Sequence, residues 1–132
     1  MKNEALALAR EKMKGFAGFT GLQVESVEPG KSTVYYDITE DHLNSRQIVH
    51  GGVTFTLMDV AAGLSGSLTE EGTRELVSSS ADVHFLRPGS LGRLTAKGEL
   101  IKEGHTLALS RVDVSDDQGV LIATGTFELY FV

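Results

Sequence analysis

The sequence predicts an α+β fold in which a curved antiparallel sheet wraps around one long central helix, with a short helix at the N-terminus. Three observations lead there. The stretch from about residue 53 to 67 is apolar nearly all round and opens on the turn His50-Gly51-Gly52, as a helix enclosed by other elements does. Two strand-like runs precede it and four follow, joined by short turn signals, which is the pattern of consecutive antiparallel strands. A length of 132 residues with 41% hydrophobic content suits a single domain able to bury one core.

Along the chain, Asn3 to Lys14 carries Ala5, Leu6, Ala9 and Met13 near helical spacing and closes at Gly15, which predicts a short amphipathic packing helix. Leu22-Gln-Val-Glu-Ser-Val and Ser32-Thr-Val-Tyr-Tyr-Asp-Ile flank the turn Glu28-Pro-Gly-Lys31 and read as a hairpin. A loop from Thr39 to Gly52 leads into the central helix, which ends near the polar run Thr69-Glu-Glu-Gly-Thr73. Strands are then expected at about 75–86, 93–103, 106–115 and 121–131, divided by Pro88-Gly89, Glu103-Gly104 and Asp116-Asp-Gln-Gly119. A sheet of this kind covers its helix on one side and leaves a face and edge strands needing protection, for which dimerisation is the simplest remedy.

The charge balance narrows the partners. Twelve Lys and Arg against eighteen Asp and Glu give a formal charge of -6, which argues against nucleic acid, whose binding depends on neutralising phosphates. An anionic small ligand would need a local basic patch. The absence of cysteine removes a disulfide framework and a nucleophilic thiol. No signal peptide and no apolar run of membrane-spanning length is visible, so no membrane partner and a cytoplasmic location are expected. His42, His84 and His105 fit no ligand spacing with an acid or with each other, so neither a metal nor another cofactor is expected.

One residue of the apolar helix is out of character. Asp59 places a carboxylate in its middle, and a buried carboxylate must find a partner or face a cavity. It reads as catalytic. The bland alternative is a structural aspartate bonded to a hydroxyl such as Ser78 or Thr56.

Several motifs together resemble the hotdog-fold thioesterases, and within them the phenylacetic-acid-degradation (PaaI-like) group. They are Asn44, His50-Gly51-Gly52, Leu57 and Asp59 on the helix, Val83-His-Phe-Leu-Arg-Pro88, and Asp116-Asp-Gln-Gly119 followed by Ala123-Thr-Gly-Thr-Phe127. The likeness runs from about residue 20 to the end. It implies a hotdog fold, a homodimer with two active sites at its interface, pairing of dimers into a homotetramer, and hydrolysis of acyl-coenzyme A thioesters. Phenylacetyl-like acyl groups are the first expectation, with medium or long fatty acyl chains as the alternative. Similar proteins often carry glycine where this chain has Gln47, which puts the geometry of that loop in question.

The resemblance also assigns roles. Gly51 is the expected oxyanion donor, because the first turn of a helix presents unpaired N–H groups and a glycine admits a carbonyl close to the backbone. Asp59 would act as general base toward water or as a nucleophile forming an anhydride. It lies about 12 Å along the helix from the opening turn, too far to share a carbonyl with its own Gly51. A dimer in which Asp59 of one subunit faces Gly51 of the other solves this and agrees with the interface site that the resemblance implies. Asn44 could donate its amide to the thioester carbonyl or fix a water. Ser78, in the run Ser78-Ser-Ser80, matches a serine that orients the nucleophilic water in some relatives, and strand alternation places Ser78 and Ser80 on one face and Ser79 on the other. His50 is attractive as a base but in the family braces the loop, and with Gly52 it is placed at the substrate-binding turn. Arg46, Arg87 and Arg93 are the cations best placed to meet coenzyme A phosphates. A hotdog dehydratase would need a histidine-led Phe-Pro-Gly type signature that is missing. A noncatalytic acyl-coenzyme A sensor would have no use for the helix carboxylate.

Overall fold

The computed structural model describes residues 2–132, with side chains from Glu4 onward. Its elements follow the expected order: α1 (Lys2–Lys12), a four-residue α2 (Phe16–Phe19), the hairpin β1 (Gln23–Glu28) and β2 (Lys31–Ile38), a 3-10 turn (Glu40–His42), and the central helix α3 (Gly51–Ser67). After α3 come a two-residue pair, β3 (Leu68–Thr69) and β4 (Gly72–Thr73), then β5 (Leu76–Phe85), β6 (Gly92–Glu103), β7 (Leu107–Ser115) and β8 (Leu121–Phe131). Six strands form one antiparallel sheet in the order β1-β2-β6-β7-β8-β5. The chain leaves β2 through α3 and re-enters at the far edge as β5, so the helix spans the sheet it packs on.

Alternation writes the inner face. Ser32, Val34, Tyr36 and Ile38 of β2, Leu94, Ala96 and Gly98 of β6, and Ala108, Ser110, Val112 and Val114 of β7 are buried, while their neighbours face out. Opposite them α3 buries Leu57, Met58, Ala61, Ala62, Leu64, Ser65 and Gly66. Small residues let helix and sheet approach closely. A Cβ built on Gly98 would stand 2.6 Å from the Ala61 carbonyl oxygen, and one on Gly66 would stand 2.7 Å from Leu129. The same Ala61 carbonyl accepts a 2.6 Å hydrogen bond from the Ser32 hydroxyl, and the Ser65 hydroxyl meets that of Ser110 at 2.7 Å. Two polar ties thus fix the helix on an otherwise apolar surface, where an unpaired hydroxyl would be costly.

The two sheet edges differ. α1 covers β1, burying Ala5 and Ala9, and Arg10 donates twice to the Val24 carbonyl at 3.2 Å. β5, at the opposite edge, is exposed along most of its length, with Val77 at 53% and Phe85 at 57%. A bare strand carrying large apolar side chains is a surface that asks for a partner. Three local features differ from the expectations. The N-terminal helix ends at Lys12 rather than Lys14, α2 follows it between Gly15 and Gly21, and the polar run at 69–73 folds as the β3–β4 hairpin. α2 is too short for a periodic signal, and it forms because Gly15 and Gly21 take positive φ angles of 113° and 91° at its two ends.

Tyr36 generates a test of this packing. Its buried hydroxyl meets the Thr20 hydroxyl at 2.7 Å, and that hydroxyl donates onward to the Ala17 carbonyl. Burial pushes the phenol above its ordinary value, with the Thr20 hydrogen bond opposing. The folded chain therefore holds this proton more tightly than the unfolded chain. The associated stability is intact below about pH 10 and lost as pH rises through the folded value. Thermal melts from about pH 9 to pH 12 should show a fall in Tm that is shallower for Tyr36→Phe, which costs about 1 kcal/mol at neutral pH through the lost hydrogen bond.

Candidate active site

The N-terminus of α3 is built by His50-Gly51-Gly52. His50 is the N-cap residue in extended conformation, and its Nδ1 accepts the Gly52 N–H at 2.8 Å. Accepting at Nδ1 places the proton of the neutral ring on Nε2. Gly52 makes room for that fold-back, since a Cβ there would press on Nδ1 at 3.0 Å. Gly51 is exposed, and its own N–H has no acceptor among the described residues, as expected for the first residue of a helix. The Phe85 ring stands over it, 3.7 Å from where a Cβ would be.

The preceding loop is tied around Asn44. Its backbone N–H donates to the Ile48 carbonyl at 2.8 Å, its carbonyl accepts from Gln47 at 3.0 Å, and its side-chain oxygen accepts from the N–H of Arg46 at 2.8 Å and of Ile48 at 3.4 Å. With the side-chain oxygen occupied, the amide NH2 is the group left to meet a ligand. Gln47 pays for this turn with a φ of 64°, so the chain keeps a left-handed residue where glycine would be free of strain. A Leu43–Val49 bridge and the Val49 N–H to Gly89 carbonyl bond close the loop onto the segment after β5.

A cleft of about 400 Å³ opens where these parts meet, lined by Asn44, Ile48, Val49, Gly51, Phe85 and Arg87 among others. Arg87 is fixed in its wall by a 2.9 Å bond from Nη1 to the Leu121 carbonyl. A wider depression of about 1010 Å³ lies on the outer sheet face among Lys31, Lys97, Glu99, Arg111 and Asp113, away from every residue named for the site. Its mixed charges are those of a solvated strand surface.

Asp59 lies on α3 beyond this cleft, half-buried, and its Oδ1 accepts a 2.6 Å hydrogen bond from the Ser78 hydroxyl. The two candidate groups are thus separate within one chain: Asn44, Gly51 and Arg87 share the cleft, and Asp59 of α3 and Ser78 of β5 form a pair outside it. The expected alternation of the serines is corrected by a bulge. Ser78 pairs with Leu129 but Ser80 with Glu128, so Ser79 is an extra residue. Ser78 therefore faces the helix alone, while Ser80 turns outward with Glu128 rather than sharing the face of Ser78.

The other candidates separate as well. Arg46 is exposed on the Asn44 loop. Arg93 is engaged, since its guanidinium bonds both Asp37 carboxylate oxygens at 2.9 and 3.3 Å and lies 3.9 Å from the Tyr35 ring centre. The Asp37 hydrogen bond raises the Arg93 pKa further, outweighing desolvation. His42 is buried, its Nδ1 accepting from the Thr39 N–H at 2.9 Å and its Nε2 bonding the Thr20 carbonyl at 2.6 Å. Among the described residues no cluster of three His, Cys, Asp or Glu could hold a metal ion. Phe85 is a lining residue that sequence reasoning left without a role. Its place in the Phe-Leu-Arg-Pro run, at the end of the strand that carries Ser78, was the available signal.

Residues 46–123 match the model of the thioesterase superfamily. The chain belongs to that superfamily. Human acyl-coenzyme A thioesterase 13 is 32% identical over 120 residues, covering 89% of this chain and 85% of that protein. The structure of the Escherichia coli PaaI protein from the phenylacetic acid degradation operon superposes with a TM-score of 0.85 at 26% identity, over 99% of this chain and 95% of that one. A Streptococcus mutans protein bound to acetyl CoA superposes with a TM-score of 0.79 at 27% identity, over 86% and 90% of the two chains. The long helix enclosed by a six-stranded sheet is thus the hotdog fold of a PaaI-like thioesterase. The thioesterase match contains Gly51, Gly52, Asp59, Ser78 and Arg87 and begins after Asn44.

Gln47 offers a direct test of the loop. Gln47→Gly relieves the left-handed residue and should raise stability by up to about 1 kcal/mol, whereas Gln47→Val, which resists positive φ, should lower it by more than about 1 kcal/mol. Urea unfolding of the three proteins checks the order.

Proposed function

We propose that this thioesterase hydrolyses acyl-coenzyme A thioesters to a free acid and coenzyme A, with phenylacetyl-like aromatic acyl groups preferred. The observation that carries the reading is the Asp59 carboxylate, set on an apolar helix with Oδ1 held by Ser78 and Oδ2 without a hydrogen-bond partner among the described residues. The human relative named an acyl-coenzyme A thioesterase and the acetyl CoA bound in the Streptococcus mutans structure support the substrate class. The likeness to PaaI supports the aromatic acyl group, as does a cleft walled by Phe85, Ile48 and Val49.

In this reading the working unit is a homodimer. Gly51 and Asp59 of one chain are eight residues apart on a single helix, about 12 Å by helical rise, and cannot hold the same carbonyl. Asp59 of one subunit faces Gly51 of the other. The exposed β5 edge supports such pairing, and the half-exposed Leu107, Leu109 and Tyr130 on the outer sheet face support a further association of dimers into a tetramer. The location proposed is the cytoplasm; no helix among the described residues is long and apolar enough to cross a membrane.

The reaction follows from the groups. The Gly51 N–H and the Asn44 amide donate to the thioester oxygen, where negative charge develops, and the positive end of α3 favours that charge. Asp59 takes a proton from a water whose oxygen attacks the carbonyl carbon, with Ser78 fixing the carboxylate. The tetrahedral intermediate collapses, the C–S bond breaks, and the sulfur leaves with the electron pair and takes up a proton as coenzyme A thiol. Arg87, in the cleft wall, and Arg46, on the loop, supply cations for the coenzyme A phosphates of an otherwise acidic chain. His50 and Gly52 hold the turn that presents Gly51.

Release of coenzyme A thiol from aryl and straight-chain acyl-coenzyme A esters tests this. Asp59→Asn should lower kcat by at least about a hundredfold while size-exclusion elution stays unchanged, and Ser78→Ala should lower it by about ten- to a hundredfold. An Asp59→Asn protein with most of its turnover would remove the carboxylate from the mechanism. A higher kcat/KM for straight-chain esters than for phenylacetyl-coenzyme A would remove the aromatic preference.

A further inference from the structure

The bulge in β5 has its own fastening, on the face of the sheet turned away from the catalytic groups. Leu76, Ala81 and Val83 of β5 pair with residues of β8 in a register that alternates on both sides of the bulge, yet the two halves are out of phase by one residue. Ala81 stands opposite buried Phe127 and Ser78 opposite buried Leu129, so both face the helix although three positions apart. Uninterrupted alternation from Ala81 would turn Ser79 toward the helix and Ser78 away from Asp59. The extra residue is what brings Ser78 onto the carboxylate.

Ser79 is that residue, and it is anchored. Its hydroxyl lies 3.1 Å from the Glu128 carbonyl and 2.9 Å from Glu128 Oε1, sharing one proton between two acceptors of the neighbouring strand. A side-chain donor thus supplements the ladder at the step where the inserted residue interrupts it. We propose that Ser79 and Glu128 form a positioning clamp that holds the β5 bulge, and through it the Ser78 hydroxyl at 2.6 Å from Asp59. Neither clamp residue lines the cleft. The clamp acts on the rate through Ser78, and the inference rests on the roles given above to Asp59 and Ser78.

The dependence on Ser78 makes the clamp separable from ordinary stabilisation. Ser79→Ala should lower kcat by about three- to tenfold with KM changed less than about twofold, the scale of one hydrogen bond. Ser79→Thr and Glu128→Gln keep a donor and an acceptor and should retain kcat. In a Ser78→Ala background, Ser79→Ala should change kcat less than about twofold, because the group it positions is gone. Glu128→Ala, which leaves β5 untouched, supplies a second reading should Ser79→Ala fold poorly, with Tm and dimer elution measured for each protein. An unchanged kcat in both Ser79→Ala and Glu128→Ala, or an equal loss in the presence and absence of Ser78, overturns the clamp. Retained activity in Asp59→Asn, run alongside, overturns instead the catalytic reading beneath it.

Discussion

The close seating of α3 on the sheet is the constraint from which the rest follows. Ala61, Gly66 and Gly98 remove the side chains that would hold helix and strands apart, and the Ser32 hydroxyl fastens the Ala61 carbonyl at the same point. A rigid helix pinned at its middle has little freedom at its ends. Its N-terminus is thereby set beside Phe85 and the Asn44 loop, and its Asp59 beside Ser78 of β5. Both groups of candidate residues therefore depend on packing in which neither takes part.

The same helix keeps the two groups of candidate residues apart. Its N-terminus offers an unpaired N–H and a favourable dipole but no carboxylate, and its middle offers a carboxylate far from the Gly51 N–H of its own chain. β5 is the edge that the chain leaves uncovered while α1 protects the opposite one, and in the proposed homodimer a two-fold axis past β5 would let each half complete the other. In the proposed dimer, exposure along β5 and the separation of Gly51 from Asp59 are two expressions of one architecture.

Periodicity made the large features legible. Alternating residues in β2 and β7, the Pro-Gly turn at 29–30 and the apolar run at 53–67 each carry their local preference openly, and helix and strands lie within two residues of the expected bounds. Asp59 was visible for the opposite reason, as a charge that its segment does not explain. The bulge was hidden because three consecutive serines carry no hydrophobic phase to betray a slip, so alternation was continued through a point where Leu129 and Glu128 shift the register. The hydrogen-bonding of His42 was equally invisible, since its shortest contacts, to the Thr20 carbonyl and the Thr39 N–H, are with backbone groups that a side-chain pattern does not record. The cleft depends on Phe85 meeting Gly51 across 34 positions of sequence, which no local motif encodes.

Two of the backbone irregularities lie beside the candidate groups. Gln47 holds a left-handed conformation within the hydrogen-bonded knot around Asn44, and the bulge at Ser79 sits next to the hydroxyl that contacts Asp59. Each irregularity adjoins one polar group, and each is backed by hydrogen bonds that consume the polar atoms not needed elsewhere: the Asn44 oxygen on the loop, and the Ser79 hydroxyl on the outer face. Consuming those atoms fixes which way the remaining ones point. An amide whose oxygen is occupied can only donate, and a carboxylate with one oxygen held by Ser78 offers the other as its acceptor. Donors are thus presented beside the N-terminus of the helix and an acceptor at its middle, which is the polarity that the proposed attack of water on a carbonyl requires.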